Sequence, residues 1–283
     1  MTSSNIRTGR PIVREWMLAL FLLFLTGQAF AGGWEKLATG LELGRFHFPG
    51  ASENADSMIV VLRIDPVHFE ASLHSATEQP DQEGLSTREW AKKHDLTVVI
   101  NSGMYDEDRR RHIGMLITPD HQNNPVFHSS YQSLFVFQPR KSQQKDYWSL
   151  IDLDESDIEA AKINYGCLVQ NLRLIKHPRE NRWSRNGKRW WSEAALGVDS
   201  KGHLLLLYTP AVVTMYDFNE ALLALPIDLQ AAQHLEGGLQ AQLYIETENR
   251  VIEFHTGHKT DFEHHPDAGP GLPIPNVLGF RKR

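Results

Sequence analysis

The sequence predicts an α+β fold, a mixed, strand-rich sheet core with a few inserted helices. Three observations predict it. Short apolar or alternating runs recur along the chain, bounded by Gly, Pro, Asn and Asp. Only two or three stretches carry helix caps, and neither a βαβ repeat nor any other internal repeat is present.

The elements follow in order. Met58 to Ile64 is β-branched and apolar, and Phe69 to His74 alternates after an Asp65-Pro66 turn. Ser86 opens a helix, with Glu89 completing a capping box. Leu96 to Ile100 is a short apolar strand that delivers Asn101-Ser102-Gly103 at its end. Further strands are expected over 112–118, 133–138, 166–175, 194–199 and 203–208, the last two joined by Asp199-Ser200-Lys201-Gly202, a hairpin turn. Asp217 caps a helix through Ala224, and a second helical stretch runs from Ile227 to His234. Strands return over 240–245, 250–254 and 277–280.

The N-terminus reads as a cleavable signal. Arg7, Arg10 and Arg14 precede an apolar run from Trp16 to Leu25, and Ala29-Phe30-Ala31 gives a small-x-small cleavage site. That run is about half the ~20 residues that a membrane span needs. The expected organisation is a signal peptide over residues 1–31 and one domain over 32–283, with no membrane span in the mature protein. A free Cys167 and no possible intrachain disulfide favour a periplasmic over an extracellular destination. Cleavage takes the net charge from −6 to −8, which excludes a charge-driven nucleic-acid partner. The sequence leaves the oligomeric state open.

Three segments place glycine among polar residues at strand ends: Asn101-Ser102-Gly103-Met104-Tyr105, Asn164-Tyr165-Gly166-Cys167-Leu168 and Glu236-Gly237-Gly238-Leu239-Gln240. Each is a turn or a place where ligand approaches backbone. Cys167, followed by Leu168 and Val169, reads as apolar filler.

Taken in order, these segments resemble the phosphodiester glycosidase family. The likeness rests on Asn101-Ser102-Gly103-Met104-Tyr105, on Gly166-Cys167-Leu168-Val169 and on the Ala195-Leu196-Gly197-Val198-Asp199-Ser200-Lys201-Gly202 hairpin. It continues through Glu236-Gly237-Gly238 to Leu243-Tyr244-Ile245. Two positions depart from the pattern: Glu236 stands where the family usually has Asp, and Glu193 where it commonly has Arg. The resemblance implies hydrolysis at the anomeric carbon of a sugar-1-phosphodiester, a glycan substrate and no cofactor. A phosphate departs as a stable anion, so one carboxylate with cations or N–H donors around the phosphate suffices.

The catalytic candidates are Glu236, Asn101 and Asp106. Candidate substrate contacts are Gly103, Met104, Tyr105, Arg111, His112, Gly166, Gly237, Gly238 and Gln240. Asp106, Glu107 and Asp108, followed by Arg109, Arg110 and Arg111, read either as part of the site or as a solvated loop. Trp183, Trp190 and Trp191 among Arg182, Arg185, Lys188 and Arg189 read as a carbohydrate or anion platform, or as a loop packed on the core. His255, His258, His264 and His265 with Asp261, Glu263 and Asp267 hold metal-ligand types without a recognised zinc spacing. A non-catalytic glycan binder and a metal-dependent hydrolase are the alternative readings.

Overall fold

The structure is a computed structural model that describes residue 1 and residues 33–51, 57–141, 147–255 and 271–283. The expected signal segment, and all of the C-terminal histidine cluster except His255, lie outside the described residues. Gly32–Arg283 forms one compact unit.

Strands β1 (Trp34–Ala38) and β2 (Leu41–His47) form a hairpin, followed by β3 (Met58–Ile64) and β4 (Phe69–Ser75). Helix α1 (Thr87–His94) leads into β5 (Val98–Asn101), then the short β6 (Leu116–Ile117) and β7 (Gln122–Asn124). Next come β8 (Ser133–Pro139), β9 (Trp148–Asp152), α2 (Ile158–Asn164) and β10 (Tyr165–Asn171). After β11 (Arg173–Lys176) and β12 (Glu180–Asn181), the long hairpin of β13 (Trp191–Asp199) and β14 (Leu204–Val213) delivers α3 (Met215–Ala224). The chain ends with β15 (Leu229–Gly237), β16 (Gln242–Thr247), β17 (Arg250–His255) and β18 (Asn276–Lys282).

The class is α+β, but the strands form three sheets in which every described pairing is antiparallel. The expectation of mixed pairing is corrected here. Parallel neighbours need long crossovers, usually helical, and this chain spends most of its connections on hairpins and short loops. The large sheet runs β1-β2-β3-β14-β13-β15-β11-β12, and the two smaller ones run β7-β6-β10-β8-β9 and β17-β16-β5-β18-β4.

Strand alternation explains how the sheets assemble. Val60, Leu62 and Ile64 of β3 join one central core with Phe135 and Val169 of the second sheet and Ile100 and Phe280 of the third. Ile59 and Val61 point the other way, onto Met215, Phe218 and Leu222 of α3. Helix α1 places Trp90 over Val99, Tyr244 and Val277, and α2 places Ala161 beside Leu134 and Leu168. Each sheet thus carries one helix on its outer face. Full burial of a side chain such as Phe218 contributes roughly 1.5–3 kcal/mol over leaving it exposed.

Local signals behave unevenly. The Ser86 cap forms both box bonds: Ser86 Oγ accepts from Glu89 N (3.3 Å) and Ser86 N donates to Glu89 Oε2 (2.8 Å). Helix α3, by contrast, is capped by Thr214, whose Oγ1 accepts from Asp217 N at 3.1 Å, so Asp217 lies inside the first turn. The stretch 227–234, expected to be helical, belongs mostly to β15. It lies between β13 and β11 with apolar residues on both faces, Leu229 and Ala232 toward α3 and Leu235 toward the central core. Burial on both faces removes the alternation that marks a strand. The expected strand 166–175 breaks at Leu172, because β10 and β11 belong to different sheets. Within 112–118 only Leu116–Ile117 is strand, since Met115 N bonds to the Gln170 side chain (3.1 Å) instead of a neighbouring backbone. The sequence reading also missed β1, β2, β7, β9, β12 and α2.

Cys167 is buried in the central core, and burial pushes its thiol up to about 12, in keeping with a packing role.

Candidate active site

Two of the three glycine segments, those of Asn101 and of Glu236, meet where the three sheets adjoin. Asn101 closes β5, with its side chain spanning the start of β16: Nδ2 donates to Gln240 O (2.9 Å) and Oδ1 accepts from Gln242 N (2.8 Å). Asn171, at the end of β10, donates from Nδ2 to Ser102 O (2.8 Å). His234 N of β15 donates to Leu172 O (2.9 Å). These bonds tie the second sheet to the end of β5 in the third, and the large sheet to the end of β10.

Gly103 is required at this junction. Its φ is +155°, and a Cβ there would collide with Asn171 Oδ1 and His112 Nε2. His112 lies beneath it, wholly buried, with Nδ1 3.0 Å from Gly114 O. Burial pulls the imidazole down to about 4, so it is neutral near pH 7. His112 is thus sealed from the surface, and Asn101 is buried with both amide atoms engaged.

Beside this junction opens a cleft of about 380 Å³, lined by Met104, Tyr105, Asp106, Glu107, Arg109, Ile113, Glu236 and Gln240. Of the expected site residues, the structure brings Met104, Tyr105, Asp106, Glu236 and Gln240 to this wall. Arg109, at φ +56°, faces the cleft where Arg111 was expected. The loop that carries it is folded on itself: Arg109 N donates to Asp106 O (2.9 Å), Asp106 N to Arg111 O (2.8 Å), and Asp108 Oδ1 accepts from Arg110 N (2.8 Å) and Arg111 N (3.0 Å). Gly166 lies elsewhere, at the start of β10 against Pro119 and Gln138. Its strand reaches the site through Asn171, at the other end.

Glu236 is the chemical centre of the wall. Burial raises its carboxyl above the ordinary value, while His234 and a bond from Gly237 N to Oε1 (3.0 Å) pull it back and Glu193 pushes it further up. The Gly237 N–H, a candidate donor to substrate, is therefore spent on Glu236. Gly238 has φ +68° and turns the chain into the helical turn Gly238–Gln240. Burial also raises the hydroxyls of Tyr105 and Tyr131, the latter to about 12, with the Glu236 charge adding to both.

Behind Glu236 lies a pair that sequence reasoning missed. His234 Nδ1 bonds to Glu193 Oε1, both side chains are buried, and Trp191 Nε1 donates to Glu193 Oε2 at 3.0 Å. Burial alone depresses His234, but the Glu193 charge and hydrogen bond and then Glu236 lift it above its ordinary value. Glu193, which departs from the family pattern, thus has its own partner here. Reading 227–234 as helix hid the fact that His234 and Glu236 share a strand. Tyr131 and Asn171 gave no local signal, because both reach the site only through the packing of sheets.

Among the described residues no three His, Cys, Asp or Glu side chains are grouped to hold a metal ion. No helix among them is long and apolar enough to cross a membrane.

A half-buried carboxyl with raised proton affinity, sharing the lining of an open cleft with an arginine and two further carboxylates, is the equipment of a carboxylate-dependent hydrolase. The chain belongs to the phosphodiester glycosidase family, a family of glycosidase-type hydrolases acting on glycans, whose model matches residues 94–281. Its fold is similar to the catalytic domain of the zebrafish N-acetylglucosamine-1-phosphodiester alpha-N-acetylglucosaminidase, auto-inhibited by its pro-peptide (TM-score 0.56, 15% identity, covering 88% of this chain and 86% of that one). It is also similar to a hypothetical protein from Synechocystis (TM-score 0.59, 11% identity, 90% and 64%). A sequence search of curated proteins finds no match.

Proposed function

We propose that the protein is an exported hydrolase that cleaves the anomeric bond of a sugar-1-phosphodiester in an envelope glycan, releasing free sugar and a phosphomonoester. The observation that carries this reading is Glu236, held by Gly237 N–H in the wall of a cleft that also presents Arg109 and Asp106. Ionised Glu236 stabilises or attacks the electron-poor anomeric carbon. Arg109 takes the departing phosphate in its planar fork. Asp106, exposed on the same wall, activates the incoming water. Tyr105, in the cleft wall, keeps its proton at neutral pH and serves as a donor to sugar hydroxyls.

Export is supported by the cationic start, the ten-residue apolar run, the Ala29-Phe30-Ala31 site and a compact unit that begins at Gly32. A periplasmic location suits the lone, buried Cys167.

The test is turnover of a chromogenic sugar phosphodiester by the domain from Gly32 onward, compared with Glu236→Gln. A loss of about 10²–10⁴ in kcat is expected for removal of a group of this kind. Turnover unaffected by the substitution would remove Glu236 from the mechanism. Binding without any turnover in the parent protein would favour a glycan binder.

A further inference from the structure

Residues 182–191, Arg-Trp-Ser-Arg-Asn-Gly-Lys-Arg-Trp-Trp, hold four cations, three tryptophans and no anion in a chain of net charge −6. They link β12 to β13. Both ends of this arm are anchored. At one end Trp183 packs against the α3 side of the large sheet and donates from Nε1 to Arg173 O (2.7 Å). At the other, the Trp191 ring lies against Gly237, where a Cβ would come within 2.7 Å of Cδ1, and its Nε1 bonds to Glu193. The arm therefore ends directly against the segment that carries Glu236.

Between the anchors, everything from Ser184 to Trp190 is exposed. Trp190 is 60% exposed, and Arg185 rests over the Tyr216 ring at 5.4 Å without a carboxylate partner among the described residues. Lys188 and Arg189 form no ion pair among the described residues. This contrasts with the cations beneath the arm, since Arg173 is paired with Asp152 and Asp154, and Lys176 with Asp154 and Glu155. Unneutralised charge beside an exposed indole, on an arm whose end packs against the segment that carries Glu236, suits a ligand that offers both phosphate and sugar. Arg and Lys pair with phosphate oxygens, and an indole face packs on the apolar face of a sugar ring.

We propose that this arm is an extended subsite for a polyanionic glycan, a chain of sugars joined through phosphodiesters, and that it grips the polymer beyond the bond held at Glu236. This rests on the function proposed above and names its substrate class: polymer rather than isolated sugar phosphodiester.

The experiment separates binding from turnover. The Glu236→Gln protein is titrated with a poly(glycosyl phosphate), with its monomeric glycosyl phosphodiester, with a neutral glucan of equal length and with single-stranded DNA of equal charge. The polymer should bind at least about tenfold tighter than the monomer or the neutral glucan, given two or more charge-assisted contacts. Adding Lys188→Ser, Arg189→Ser and Trp190→Ser should abolish that advantage. In the parent background the same three substitutions should leave monomer turnover and the unfolding midpoint unchanged, because these side chains are exposed. Equal polymer affinity with and without them would overturn the subsite, as would no preference of the parent for polymer. DNA bound as tightly as the polymer would overturn the glycan assignment. If the arm binds polymer while Glu236→Gln keeps full turnover, the catalytic reading fails and the subsite stands.

Discussion

Glu193 stands where arginine is common in the family, and the consequence lies in what it touches. A carboxylate buried without a partner would be very costly, but Glu193 accepts from Trp191 and pairs with His234. Replacing it by Gln leaves His234 buried without its counter-charge, and breaking such a pair costs about 3 kcal/mol or more. His234 is raised above its unfolded value, so this contribution is fully present below about pH 6.5 and is lost as pH rises through the folded value. Urea unfolding of Glu193→Gln should show a lower midpoint at pH 6, and a gap to the parent that narrows in alkaline solution. An unchanged midpoint at pH 6 would remove the pair from the stability of the fold. Glu236 acts ionised in the proposed mechanism and its carboxyl is raised, so kcat/KM should fall as pH drops through a limb above the ordinary carboxylate value of 4.5. A limb at or below 4.5 would contradict the environment described for Glu236.

At the scale of elements, legibility follows how locally each signal acts. The Ser86 box could be read because both partners lie within one turn, and both bonds form. Asp217 was misplaced as a cap because Thr214 and Asp217 are both capping types three residues apart, and only the Thr214 backbone is extended, with ψ 155°. Thr214→Ala should cost about 1 kcal/mol in chemical unfolding, the usual loss for a cap. A cost near zero there, with a larger one for Asp217→Ala, would restore the sequence assignment. Strand β15 was illegible for the opposite reason, since its neighbours β13 and β11 cover both edges and α3 and the central core cover both faces. Much of the cleft wall was legible, because Met104, Tyr105, Asp106, Glu236 and Gln240 stand next to glycines at strand ends. Its backing was not, because Asn171, Tyr131 and the Glu193–His234 pair are assembled from distant strands.

Across the whole molecule, three sheets meet at the residues under Gly103, and His112 sits at that meeting point. Its backbone N donates to Asn123 Oδ1 (2.7 Å), its carbonyl accepts from Asn124 Nδ2 (2.8 Å), and its ring fills the space between Gly103 and Asn171. The unfolded chain takes up a proton on this ring near pH 6.5, whereas the folded chain resists to about 4. Between those values the unfolded state holds more protons, so stability falls with acidification. The full contribution is present above about pH 6.5. It disappears progressively toward pH 4, by about 3 kcal/mol for a shift of this size. His74, lowered to about 3 by burial and then by His94 and Arg281, adds to the same slope. His112→Gln removes one titrating group while retaining a polar side chain in the junction. Its unfolding free energy, followed from pH 7 to pH 4, should decline less steeply than that of the parent, whatever its absolute stability at pH 7. Parallel slopes for the two proteins would show that this junction is not where the fold is sensitive to acid.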